Sequence, residues 1–142
     1  MRVIQWNGSR RNQTMSGFKR YEDELYENMK IQGKGIELSR VYRPSNPITG
    51  NTVASWFLGY TTVDADIVHA TIQTLAPVIY IRKPRRFVVT VLDLIPLLYP
   101  SISERLQWIP TPGALRKVDG IIAISDFTKK EDSKTTTYSF DQ

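Results

Sequence analysis

Histidine and cysteine are scarce in this 142-residue chain, and that scarcity narrows the chemistry at once. There is one histidine, His69, and no cysteine. Thiolate catalysis, a disulfide framework and a multi-histidine metal site are therefore excluded. The remaining candidates stand where apolar runs end. His69 closes Asp66-Ile67-Val68-His69, with Thr71 two positions on. Asp93 closes Phe87-Val88-Val89-Thr90-Val91-Leu92, and Ser125 follows Ile121-Ile122-Ala123-Ile124. In open α/β sheets ligands bind outside the carboxyl ends of the strands, so these are the positions at which a site is expected. An imidazole exchanges protons near neutral pH, a carboxylate orients or accepts, and a hydroxyl donates to a substrate oxygen. Each has a structural alternative. A lone histidine is often a hydrogen-bonded core residue, and a serine after a strand is often a cap.

A second kind of chemistry lies in Asn7 to Gly17, NGSRRNQTMSG. Gly8 and Gly17 bracket a stretch joining the first apolar run to a helical pattern. Such loops can bring backbone N–H groups and a helix N-terminus against phosphate. The spacing is neither GxGxxG nor a P-loop, so no dinucleotide or ATP site follows. Arg10 and Arg11 suit an anion-facing loop, and an ordinary surface loop fits the same composition. Asp64-Ala65-Asp66 has the DxD spelling of metal-dependent sugar transferases, whose carboxylates give hard oxygen ligands to a divalent ion. Here it precedes Ile67-Val68, at a strand's entrance instead of its exit, and reads as solvated acids. No metal site is expected. The run Arg82-Lys83-Pro84-Arg85-Arg86 has no recognition motif or aromatic platform beside it, so nucleic acid is not expected as a partner. A solvated turn explains it, and contact with an acidic membrane surface is the alternative.

The elements that must position these groups follow from periodicity. Five apolar runs predict strands at Arg2 to Trp6, Ile36 to Tyr42, Asp66 to Ala70, Arg86 to Leu92 and Gly120 to Ile124. The segments between them are long enough for crossover helices, the signature of an α/β fold with a mostly parallel sheet. Phe18, Tyr21, Leu25 and Met29 recur at helical spacing, with Lys19, Arg20, Glu22, Asp23 and Glu27 assigned to the other faces. Ser16 would cap this helix and Lys30 would lie near its far end. Further helices are predicted at Thr52 to Tyr60 and at Thr74 to Ile81, where Pro77 would sit best in the first turn. Two short helices are predicted between Ser101 and Val118, split where Pro110, Pro112 and Gly113 break the periodicity. Thr111 or Thr128 could start a helix, the latter through the capping-box pattern Thr128 to Glu131.

Nineteen basic against fourteen acidic residues give a net charge of +5, which favours anionic partners. The chain has the size of one domain. No apolar stretch approaches the roughly 20 residues that span a bilayer, and the N-terminus lacks the apolar run of a signal peptide. The expectation is a cytoplasmic protein able to touch the inner membrane surface.

Three stretches, ADIVHATIQTLAP, RFVVTVLDLIPLLYP and VDGIIAISDFTKKE, in that order and spacing, resemble the N-terminal domain of family 4 glycosyltransferases. The opening strand, the glycine-containing loop and GFKRYEDELYENM agree with that resemblance, which covers nearly the whole chain. It implies a Rossmann-like domain of GT-B architecture, in which two such domains enclose the active site. Enzymes of this family transfer a sugar from a nucleotide-sugar, usually with retention and without an essential metal; no cofactor is implied. Their N-terminal domain mainly binds the acceptor, often a lipid-linked or envelope glycan. By that resemblance the loop from Asn7 to Gly17, with Gly8 and Gly17, faces the diphosphate and acceptor. His69, Thr71, Asp93 and Ser125 line the cleft, with Asp93 as the catalytic-side carboxylate.

Two departures accompany the resemblance. A histidine commonly precedes the aspartate in the family's VVTVHD stretch, and here that position is Leu92, which can neither donate nor accept a hydrogen bond. A complete enzyme would also be roughly twice this length. Residues 1–142 therefore read as the acceptor-side domain alone, ending before its last elements and lacking the C-terminal nucleotide-sugar-binding domain. Alone it should not transfer sugar; a partner chain could carry the donor domain. The alternative is a non-catalytic module that binds glycan or anionic lipid.

Overall fold

The computed structural model describes residues 1–43, 64–92 and 109–124. Five strands, β1 (Arg2–Trp6), β2 (Glu37–Val41), β3 (Ile67–Ala70), β4 (Phe87–Val91) and β5 (Gly120–Ala123), form one sheet in the order β2-β1-β3-β4-β5. Every neighbouring pair is parallel. With the helices that flank it, the sheet is an α/β arrangement of the Rossmann-like kind. Each strand falls inside the run that predicted it.

Helix α1 (Gly17–Gln32) makes the crossover from β1 to β2. Ser16 is extended, and its hydroxyl accepts the Lys19 N–H at 3.2 Å, which satisfies a donor that the first helical turn leaves open. Lys30 stands in the last turn, complementing the helix dipole. Gly35, at φ 74°, takes the left-handed conformation that turns the chain into β2.

The two faces of the sheet differ in chemistry, because successive residues of a strand point to opposite sides. Trp6, Val68, Ala70, Phe87, Val89 and Val91 share one face. They pack against Leu75, Ala76, Val78, Ile79, Ala114 and Leu115 as the apolar core. The intervening residues Gln5, His69 and Thr90 are buried on the α1 side. The almost continuously apolar run at β4 suits a strand buried on both faces, and β4 is buried at every position but Val88, contributing Thr90 to the polar layer.

Two helical expectations change. The helix at Gln73–Tyr80 is a 3-10 helix with Pro77 in its interior instead of its first turn. Proline has no N–H to complete an α-helical bond there, and tighter winding suits short segments. Thr111 starts a helix as expected, α2 (Thr111–Leu115) directly after Pro110, but Pro112 and Gly113 lie within it instead of at a break, with Pro112 in the first turn, where its missing N–H has no helical acceptor to lose. The predicted helix at Thr52 to Tyr60, residues 101–108, the Thr128 capping box, Asp93 and Ser125 lie outside the described residues. Among the described residues no helix is long and apolar enough to cross a membrane.

Candidate functional site

The chain leaves β1 for β2 on one side and comes back to β3 on the other, so the winding reverses between β1 and β3. A crevice at such a switch point, outside the carboxyl ends, is where ligands bind in open sheets. Trp6 and Ala70 face each other in register at these ends. The Thr71 N–H donates to the Trp6 carbonyl at 3.0 Å, and the Asn7 N–H donates to the Val41 carbonyl at 2.8 Å. The exits of β1, β2 and β3 are thereby tied together.

Glu22 organises the joint between these exits. It lies on α1, fully buried, with its carboxylate over the exit of β1. The Gly8 N–H donates to Glu22 Oε1 at 2.7 Å, the Ser9 hydroxyl donates to Oε2, and the Thr71 hydroxyl donates to Oε1. Gly8 N also lies 3.1 Å from Thr71 Oγ1, sharing its hydrogen between the two oxygens. Three donors converging on a carboxylate provide the compensation that a buried charge requires. Gln5 reinforces the joint, its Nε2 donating to the Glu22 carbonyl at 2.9 Å and to Asn7 Oδ1 at 2.8 Å. Gly8 has to be glycine: a Cβ there would lie 2.6 Å from Ile72 Cγ2 and 3.0 Å from Phe18 Cζ.

His69 lies in the same polar layer, its Nε2 at 2.8 Å from Thr90 Oγ1, with the Tyr21 hydroxyl 3.4 Å from the same oxygen. Burial lowers its imidazole to about 4, so the ring is neutral near pH 7. A neutral ring bonded to a threonine serves positioning better than proton transfer.

Residues 10–14 and Arg43 line an open cavity of about 430 Å³. The loop closes on itself, Gln13 N donating to the Arg10 carbonyl and Arg10 N to Gln13 Oε1, both at 3.2 Å. The Arg43 N–H donates to the Ser9 carbonyl at 3.0 Å, fixing the β2 exit to the loop's root. Desolvation lowers the Arg43 guanidinium from its ordinary value; the Glu22 charge opposes this and the Arg10 charge adds to it. Beside the cavity Tyr42 is flanked by Arg11, Lys19 and Arg40 at 5.1, 5.8 and 5.5 Å from its ring centre. Asp23 accepts from Arg40 at 2.6 Å and lies 3.6 Å from Lys19.

The structure brings together Gly8 and Thr71, and sets His69 beside Thr71 at the end of β3. Gly17 stands apart at the start of α1, with nothing within 4 Å of where a Cβ would be. Leu92 is half-buried just past β4. Its N–H is held by Gln73 Oε1 at 3.1 Å, so backbone bonding fixes this exit. The acids of the DxD spelling lie at the amino edge. Asp66 accepts the Arg2 N–H at 2.8 Å, which draws its carboxyl below the usual range, and pairs with Arg85 at 3.1 Å. Lys83 of the basic run pairs with Asp119 at 3.6 Å.

Glu22 corrects the sequence reading, which placed it on the solvated side of α1. At about 100° per residue it lies about 40° from Phe18 and about 20° beyond Met29, at the edge of the apolar arc of Phe18, Leu25 and Met29. That placement was the available signal. Gln5, Asn7 and Ser9 gave none, because only tertiary contact distinguishes them from surface polar residues. No family model matches this chain, and no curated protein or solved structure matches it.

Proposed function

We propose that this chain is the acceptor-side domain of a GT-B glycosyltransferase resembling family 4, holding a glycan or lipid-linked acceptor while a nucleotide-sugar-binding domain presents the donor. The observation that carries the reading is the meeting of Gly8 and Thr71 at the exits of β1 and β3, where the winding reverses. A parallel sheet with a hydrogen-bonded junction at that point suits orientation of a polar acceptor, whose chief catalytic benefit would be positioning. Asp93 follows Leu92 in sequence, directly after the third exit, and would contribute the carboxylate to the cleft. In this account Glu22 is a positioning residue for the loop.

The test supplies a GT-B donor-binding domain, a nucleotide-sugar and a lipid-linked glycan. Transfer should require both proteins. Transfer by this chain alone would contradict the division of labour.

One observation favours a second reading, a binding module without catalysis. The Gly8 N–H and the Thr71 hydroxyl are directed to Glu22, and the side chain at the β4 exit is Leu92. That reading predicts saturable binding of glycan or anionic lipid and no turnover in the same mixture; turnover there would exclude it.

A further inference from the structure

We propose that the amino edge of the sheet is a docking surface for an anionic lipid bilayer. The inference goes beyond the acceptor reading and does not depend on it, because this edge lies at the opposite ends of the strands from the crevice.

All five strands run the same way, so the segments that enter them gather at one edge. Exposed cations stand on most of these segments. Arg2 starts β1, Lys34 precedes β2, residues 82–86 bring the basic run to β4, and Arg116 and Lys117 precede β5. Glu37, Asp66 and Asp119 pair with Arg2, Arg85 and Lys83 at 3.9, 3.1 and 3.6 Å. Among the described residues no carboxylate lies within ion-pair distance of Lys34 or Arg86. The cations outnumber the acids of this edge even with Asp64 included. Arg2, Arg82, Lys83 and Arg85 border one open cavity of about 380 Å³, which joins the β1 entrance to the basic run.

Charge alone would suit any polyanion, and the apolar groups decide for lipid. Ile31, in the last turn of α1, is 77% exposed. Tyr80 and Ile81, at the end of the 3-10 helix, are 50% and 43% exposed. Both helices end at this edge, since each leads toward a strand entrance. Lys117 Nζ lies 5.0 Å from the centre of the Tyr80 ring, and such a pair of amphipathic side chains suits the headgroup zone. Apolar side chains set among cations can enter the boundary of a bilayer while the cations meet its phosphates. Each cation contributes little alone, so docking needs a continuous anionic surface. A dispersed phosphate ester meets one or two cations and is not retained. A docked chain points its crevice into the water, at least about 17 Å from the lipid.

The test sediments the whole chain with phosphatidylcholine vesicles, with and without phosphatidylglycerol, at physiological salt. Saturable binding is expected only with phosphatidylglycerol. Lys34→Gln with Arg86→Gln should weaken it about 30-fold, and Ile31→Ser by at least about fivefold. Arg11→Gln with Arg20→Gln removes the same charge on the carboxyl side and should stay within about twofold of wild type. Glycerol 3-phosphate, a headgroup without a surface, should not compete. Absence of binding, equal losses in the two charge variants, wild-type binding by Ile31→Ser, or displacement by glycerol 3-phosphate would each overturn the docking surface. Stronger retention on duplex DNA than on the vesicles, lost in the Lys34/Arg86 variant, would overturn it in favour of nucleic acid. Failure of sugar transfer in the two-protein assay would remove the acceptor reading and leave the docking surface standing.

Discussion

Replacing Glu22 by alanine should unfold much of what holds the crevice together. The substitution removes the acceptor for three buried donors, the Gly8 N–H at 2.7 Å and the hydroxyls of Ser9 and Thr71. A buried donor left without a partner costs about 1–3 kcal/mol. Three such losses do not add fully, because Thr71 can turn its hydroxyl to the Trp6 carbonyl, 3.2 Å away, and water can enter the space. The expected loss is therefore about 3–5 kcal/mol, a large share of the roughly 5–15 kcal/mol that stabilises an ordinary domain. Glu22→Gln keeps the shape but sets an NH₂ group against a donor, and should cost about 1–3 kcal/mol. Glu27→Ala, exposed on the same helix, should stay within about 0.5 kcal/mol of wild type. Urea denaturation followed by circular dichroism measures all three. A Glu22→Ala variant within about 1 kcal/mol of wild type would refute the reasoning, because the three donors would then have adequate partners elsewhere.

Three more outcomes are expected. The folded His69 imidazole sits at about 4, below its ordinary 6.5, so its contribution is complete above pH 6.5 and is lost as the pH falls from there toward 4. By pH 5 the loss should be about 2 kcal/mol, and the stability difference between wild type and His69→Gln across this interval should show it; parallel pH curves would contradict it. Gly8→Ala should be destabilising, because its Cβ would meet Ile72 and Phe18, whereas Gly17→Ala should be neutral or better by up to about 1 kcal/mol, both read from thermal melts. In the two-protein transfer assay Leu92→His should raise the rate by restoring a hydrogen-bonding side chain at the β4 exit, and a fall in rate would speak against a site there.

The sheet was legible because β-branched runs bounded by turn residues leave few alternatives: β1 matches its predicted limits, and β2 to β5 lose only a residue or two at their ends. Helix α1 was legible from its apolar spacing and its Ser16 cap. The layer beneath α1 was not. Gln5, His69 and Thr90 lie inside runs that suggest strands of an apolar core, Thr71 lies just past one, and their partners are 17 to 69 residues away in sequence. Hydrophobic periodicity carries no information about such contacts. Glu22 shows the same limit from the other side: it stands at the edge of the apolar arc of α1, and an acid in a helix rich in charged residues reads as solvated. The 3-10 winding at Gln73–Tyr80 depended on where Pro77 fell within the helix, which propensity alone leaves open.

The central claim is that the exits of β1 and β3 receive the acceptor. It is tested most directly by titrating the ¹⁵N-labelled chain with a neutral oligosaccharide and with its lipid-phosphate-linked form, following the amide resonances of Gly8, Ser9, Thr71 and Leu92. The account predicts saturable shifts at these amides with the linked form, while the amides of Arg2, Asp66 and Arg85 at the opposite edge stay in place. Shifts confined to the amino edge, or no saturable change with either ligand, would contradict it.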